Sequence, residues 1–134
     1  MTHRFPAYIL LALIFFIFIF HAAALYWHLY FFLWWLDIPL HILGGLWVAL
    51  FGLAAYYASY RIQPKEQSGA FVVAFAVALT LTIGIFWEIF EFGLDQTVGD
   101  LGIVLSDTLT DLVDDLVGAL LGTLIFIKGG YNKT

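Results

Sequence analysis

Four aspartates, Asp107, Asp111, Asp114 and Asp115, stand at i, i+4, i+7 and i+8, the spacing that gathers side chains onto one face of a helix. Glu88, Glu91 and Asp95, at i, i+3 and i+7, form a second acidic face, and Asp37 with His41, at i and i+4, a third. None of these acids has a Lys or Arg near it in sequence. Carboxylates brought within a few ångströms of one another cannot all stay ionised without a cation or shared protons. A divalent metal is the economical solution, and oxygen ligands with one or two imidazoles suit Mg²⁺, Mn²⁺, Ca²⁺ or, with the histidines, Zn²⁺. The candidate ligands are Asp37, His41, Glu88, Glu91, Asp107, Asp111, Asp114 and His21. For catalysis the candidates are His41, Glu88 and Asp115, any of which could act as general base toward water.

The elements that must carry these groups belong to a membrane. Hydrophobic residues make up 63% of the 134-residue chain and charged residues 11%, which excludes an ordinary soluble domain. Four apolar stretches, roughly Phe5 to Ala24, Ile38 to Tyr57, Gly69 to Leu94 and Leu105 to Ile127, each approach the ~20 residues a helix needs to cross the hydrocarbon core. An all-α four-helix transmembrane bundle, one domain over residues 1–134, is the expected fold. The segment Met1 to Ala24, with Arg4 and Ala22-Ala23-Ala24, also has the outline of a signal peptide, but its apolar run is longer than usual and reads as a span. No cysteine is present, so thiolate ligands and disulfides are excluded.

Charge orients the bundle. Arg4, Arg61, Lys65, Lys128 and Lys133 fall before the first stretch, between the second and third, and after the fourth, which places both termini in the cytoplasm. Nine of the ten acids lie toward the other side, Glu66 being the exception. The net charge of -5 therefore comes from one cluster rather than from a diffuse acidic surface, and no nucleic-acid partner is expected. Tyr26, Trp27, Tyr30, Trp34 and Trp35, between the first two stretches, read as an aromatic belt at the outer interface.

Sliding the chain against itself by seventy positions lays a first hairpin, about 5–60, on a second, about 71–130. Asp37 and His41 then fall on Asp107 and Asp111, His21 on Glu91, and Leu46, Ala49, Leu50 and Gly52 on Leu116, Ala119, Leu120 and Gly122. Two such hairpins would be parallel repeats about an axis along the membrane normal, bringing Asp37, His41 and His21 toward Asp107, Asp111 and Glu91. Gly118 and Gly122 continue the aspartate stripe and would allow close helix contact. The plainer roles are capping of helix starts by Asp37 and Asp107, turn chemistry for Asp95, Gly99, Asp100 and Gly102, and solvent exposure for His3 and His28.

The segment Asp107-Thr108-Leu109-Thr110-Asp111 through Gly118-Ala119, with Trp87-Glu88-Ile89-Phe90-Glu91, Asp37 and His41, resembles the YjdF-like bacterial inner-membrane proteins and, more distantly, VanZ-like proteins. The resemblance runs from about Asp37 to Gly122. It implies a small multi-helix inner-membrane protein whose signature polar positions are Asp37, His41, Glu88, Glu91, Asp107 and Asp111. It implies little about activity. Asp114 and Asp115 depart from the pattern, which has apolar residues there.

Two functional classes follow. One is a metal-dependent hydrolase or transferase acting on a membrane lipid or lipid-linked phosphate at the outer leaflet. The other is a divalent-cation or proton-coupled transporter or channel, with the acidic stripe as its entry. A membrane scaffold with a structural metal is the third reading, and a homodimer is compatible with each. The inner half offers only Thr80, Thr82 and Thr123 as polar stepping stones, so a site without a through-path favours the enzyme.

Overall fold

In a computed structural model the chain is all-helical, and the structure describes residues 4–59, 67–94 and 101–133. Arg61, Lys65, Glu66, Asp95, Gly99, Asp100 and His3 lie outside the described residues. Helix α1 runs Ala7–Tyr26, a short α2 runs Leu29–Phe32, and a 3₁₀ turn at Trp34–Leu36 leads into α3, Asp37–Ser59. Helices α4, Gly69–Leu94, and α5, Leu101–Lys128, complete the chain.

Helix α1 is apolar on every side and buries only Leu10 and Ala24, the pattern of a helix that faces lipid rather than a protein core. It ends where exposed His28 takes φ 55°, a left-handed turn that His tolerates better than most residues. The connector that follows exposes Phe31, Phe32 and Trp34, as an interfacial aromatic cluster should. At the far end, Gly130 at φ 71° stops α5, and the Tyr131 N–H donates back to the Phe126 carbonyl at 3.1 Å.

Helices α3 and α5 form the central pair, α4 packs against both, and α1 packs on α3. Their backbones touch. A Cβ placed on Gly118 would overlap the Ile42 carbonyl, and one on Gly45 would overlap the Asp115 carbonyl. One turn below, a Cβ on Gly122 would come within 3.0 Å of the Leu46 oxygen and 3.2 Å of the Ala49 Cβ. The two helices run parallel: Asp111 lies beside His41 at one end, and Phe126 lies 5.4 Å from the Tyr57 ring at the other. Beneath the glycines, Ala49, Leu50, Leu53, Val72, Ala76, Ala119 and Phe126 are buried as one apolar cluster. Helix α1 is fastened by the Trp47 indole N–H, which donates to the Leu10 carbonyl at 2.9 Å.

Three segments, α1, Trp34–Ser59 and Gly69–Gly93, are long and apolar enough to cross a membrane. Helix α5 has the length, at 28 residues, but its aspartates and Lys128 set it apart from these three. Two further expectations change. Asp107 does not begin a helix, since α5 already starts at Leu101 and Asp107 projects from its second turn, exposed. Asp37 is the first residue of α3 and has helical dihedrals of its own (φ -67°, ψ -41°), so its carboxylate sits at the positive end of α3 rather than in a capping conformation.

The backbone contact gives a direct test. Gly118→Val should lower the thermal midpoint by an amount corresponding to about 1–3 kcal/mol, the usual cost of overpacking. Gly44→Ala, whose added Cβ meets nothing within 4 Å, should leave the midpoint unchanged. Equal midpoints for the two variants would remove the α3–α5 contact from its central place.

Candidate metal centre

His41 is the hub. It stands one turn into α3, buried to 8% exposure, with Asp37 one turn above it and the α5 stripe opposite. Its Nδ1 lies 3.3 Å from Asp115 Oδ1, while its Nε2 lies 3.7 Å from Asp37 Oδ1 and 3.9 Å from Asp111 Oδ1. Donation from Nδ1–H to Asp115 leaves the Nε2 lone pair directed at the other two carboxylates, the tautomer that carboxylate-backed metal-binding histidines adopt. The Nε2 distances are too long for hydrogen bonds. They are a few tenths of an ångström wider than the roughly 3–3.5 Å between ligands that surround an ion at 2.0–2.4 Å.

Two sets of groups have ligand atoms within 4.8 Å of one another: Asp37, His41 and Asp111, and His41, Glu88 and Glu91. Helix α3 thus provides Asp37 and His41, α4 provides the glutamates, and α5 provides Asp111. Glu88 Oε1 is buried and has no hydrogen-bond partner among the described residues, although Thr108 hydrogen-bonds the same carboxylate. An orphaned buried oxygen in such a set is what a ligand position looks like before an ion is considered.

Two glycines make this convergence possible. Gly45, one turn below His41, lets α5 approach so closely that Asp115 comes beneath the imidazole. Gly84 on α4 leaves the space that Asp115 Oδ2 occupies; a Cβ there would overlap that oxygen. Both continue acidic stripes of the sequence, Gly45 at i+4 from His41 and Gly84 at i-4 from Glu88. Tyr30, expected in the aromatic belt, also hydrogen-bonds His21 beside the site.

The other candidate residues are distributed unevenly. His21 lines the same cavity as Asp37, His41, Glu91 and Asp115, but its Nδ1 is hydrogen-bonded to the Tyr30 hydroxyl at 2.6 Å, and it belongs to neither converging set. Burial first, and then the charges of Asp37 and Glu91, push the Tyr30 phenol up to about 12, so it remains a protonated partner to His21. Asp114 is half-buried with Oδ2 lacking a hydrogen-bond partner among the described residues, yet it too lies outside the converging sets. Asp107 is exposed and belongs to neither converging set. Asp111 and Asp115, at 4% and 7% exposure, are the buried members of the α5 stripe.

Basic side chains lie elsewhere. Phe5 stacks on Phe126 at 6.0 Å and meets Tyr131 at 5.1 Å, which holds Arg4 at the same end of the bundle as Lys128 and Lys133. The charge separation read from sequence is thus a separation in space among the described residues.

No curated protein and no solved structure matches the chain. A family model described as "Predicted membrane protein (DUF2238)" matches residues 1–129, in agreement with the YjdF-like resemblance and silent on the VanZ-like one. With nearly its whole length covered, including all four long helices and every residue of the His41 cluster, the chain belongs to the predicted membrane proteins of the DUF2238 family.

Proposed function

We propose that this protein is a four-span inner-membrane enzyme with an outward-facing divalent-cation site centred on His41, hydrolysing or transferring lipid or lipid-linked phosphate. The observation that carries this reading is the orientation of His41, with Nδ1 held by Asp115 and Nε2 facing Asp37 and Asp111. Asp37, His41 and Asp111 would hold the ion, with Glu91 and Glu88 completing or extending its shell. Mg²⁺, Mn²⁺ and Ca²⁺ suit the oxygen-rich set, and Zn²⁺ suits it where the imidazole is retained.

A bound ion would offset the negative charge of the site, would supply phosphate recognition where none of the described Lys or Arg residues lies, and would lower the pKa of water bound to it. Glu88, whose Oε1 has no partner among the described residues, would serve as general base toward water in such a site. Asp115 orients His41. Removing such an outer partner typically costs about 10–100-fold in metal affinity.

Several features support the four-span arrangement. Helix α5 lies alongside α3 in parallel from the acidic end to Phe126, so α5 shares the depth of a helix that is apolar enough to span. One of the close backbone contacts joins Gly45 to Asp115, positions seventy apart (45 and 115), and Ala49 and Ala119, also seventy apart, are both fully buried. Such self-paired positions are what an axis between two hairpin repeats would require, although α1 and α4 are not packed alike on that axis. Transport is disfavoured because the lower halves of α3 and α5 meet through small residues and an apolar cluster with no acidic exit. A divalent ion would shed its water there without ligands in return.

Reporter fusions test the orientation: one after Thr134 and one near Gln67 should report cytoplasm, and one near Gly99 the outside. A periplasmic carboxyl terminus would reverse the assignment. Elemental analysis of purified protein tests the site. The wild type should hold a divalent metal that chelator removes, His41→Ala and Asp111→Ala should lose it, and Asp107→Ala should keep it. Adding metal should raise the thermal midpoint of the wild type and of Asp107→Ala alone, by mass action. Equal metal content in all variants would refute the ligand assignment.

A further inference from the structure

A cavity of about 360 Å³ extends from the His41 cluster, with walls from α1, α3 and α4 and with Asp115 of α5 at its polar end. Its lining residues repeat with helical period on each: Ile14, Ile17, Phe18 and His21 on α1; Asp37, His41, Gly44 and Val48 on α3; Thr80, Ile83, Trp87 and Glu91 on α4. Three stripes of two to three turns enclose an elongated slot parallel to the helices, not a rounded pocket. From Asp37 to Val48, and equally from Glu91 to Thr80, the axial rise is about 16 Å at 1.5 Å per residue. That is roughly half the hydrocarbon core of a bilayer.

Polarity is graded along the slot. His21, Asp37, His41, Asp115 and Glu91 gather at one end, and the remainder is apolar apart from the Thr80 hydroxyl. Helices α1 and α4 meet at the polar end through a contact between His21 and Trp87, with ring centroids 6.2 Å apart. Below it, Phe18 and Ile83 are both lining residues and exposed, so the slot opens sideways toward whatever surrounds the bundle. In a chain whose outer surfaces display Phe15, Phe16, Ile19, Phe86 and Phe90, the surroundings are lipid.

We infer that this slot is the site for one acyl chain of a membrane glycerophospholipid, whose headgroup lies at the His41 end and whose second chain stays in the bilayer beyond Phe18 and Ile83. A volume of about 360 Å³ spread over about 16 Å of depth has room for a single chain, the depth suits the upper half of that chain, and the lateral mouth removes any need to extract the lipid from the membrane. The position of the headgroup rests on the metal reading above, because a phosphate beside these carboxylates needs a cation between them. The chain slot itself does not. Apolar lining with a few polar groups at one end is the usual make-up of a lipid or small-molecule site.

Gly44 supplies the means of testing it. It lines the slot, and a Cβ built on it meets nothing within 4 Å, so a larger side chain would enter the cavity without disturbing the backbone. The full-length protein is reconstituted into phosphatidylglycerol vesicles doped with a phospholipid carrying a photoactivatable diazirine part-way along one acyl chain. After irradiation, adducts should map to Ile14, Ile17, Val48 or Ile83. Gly44→Leu should lose these adducts while keeping wild-type metal content and thermal midpoint, and Val48→Trp repeats the test should Gly44→Leu fail to fold. His41→Ala should lose metal and keep the adducts, which separates the slot from the metal. Slot adducts in a wild type that binds no metal would support the chain assignment and defeat the metal reading alone. Adducts confined to outward residues such as Ile19 and Phe86, or an undiminished yield in folded plugged variants, would overturn the proposal. So would displacement of the probe by polyprenyl phosphate but not by unlabelled phospholipid, which would give the slot to an isoprenoid.

Discussion

Everything at the acidic end depends on how closely two backbones approach at Gly45 and Gly118. In lipid there is no gain from hiding apolar surface from water, so helices associate through van der Waals contact and polar pairing. Small residues permit that contact, and here they permit something more. With a side chain at position 45, α5 would stand farther from α3, and Asp115 could no longer lie beneath the His41 ring. The packing of the lower half and the chemistry of the upper half are therefore one constraint. The same pair of helices supplies the dry contact around Ala49 and Ala119 and, one to two turns higher, three carboxylates around one imidazole.

A cluster of this kind is costly in a membrane protein unless each charge is compensated. The structure divides the acids by depth and exposure. Asp111 and Asp115 are buried against His41, Asp37 is a third exposed at the start of α3, and Asp107 faces outward a turn higher. Acids that can reach water need no partner. Buried Asp111 and Asp115 and partly exposed Asp37 converge on His41, and Glu88, with one buried oxygen lacking a partner among the described residues, joins them from α4. Burial thus selects a site from a longer list of acidic residues that spacing alone treats alike.

Much of the fold was legible because apolar length is a strong signal. The stretches drawn at Ile38 to Tyr57 and Gly69 to Leu94 agree with α3 and α4 to within two residues at each end. Helix α5 begins at Leu101, four residues before the apolar stretch Leu105 to Ile127. The break at His28 and the turn at Trp34–Leu36 carry no proline or glycine and gave no warning. In the site, His41, Asp37, Asp111, Glu88 and Glu91 could be picked out as polar residues in apolar surroundings. The subdivision into converging and peripheral acids could not, because it depends on rotation of α5 about its own axis, which the glycine contacts set. The places of Gly84 and Tyr30 are illegible for the same reason: they are defined by what another helix sets against them.

The one-sided placement of the polar groups also bears on what kind of protein this is. A conduction path needs binding sites that succeed one another across the bilayer, each weak enough to release its ion to the next. Here the polar groups are concentrated at one level, and the space that continues below them is an apolar slot wide enough for a hydrocarbon chain. A route for ions and a seat for a lipid demand opposite linings over the same depth. Ile14, Ile17, Val48 and Ile83 meet the second demand, and the buried Thr80 hydroxyl is too isolated to meet the first. On the proposed reading, a cation at His41 and the carboxylates would therefore stay near the headgroup level, where it could act on a lipid that entered from the side.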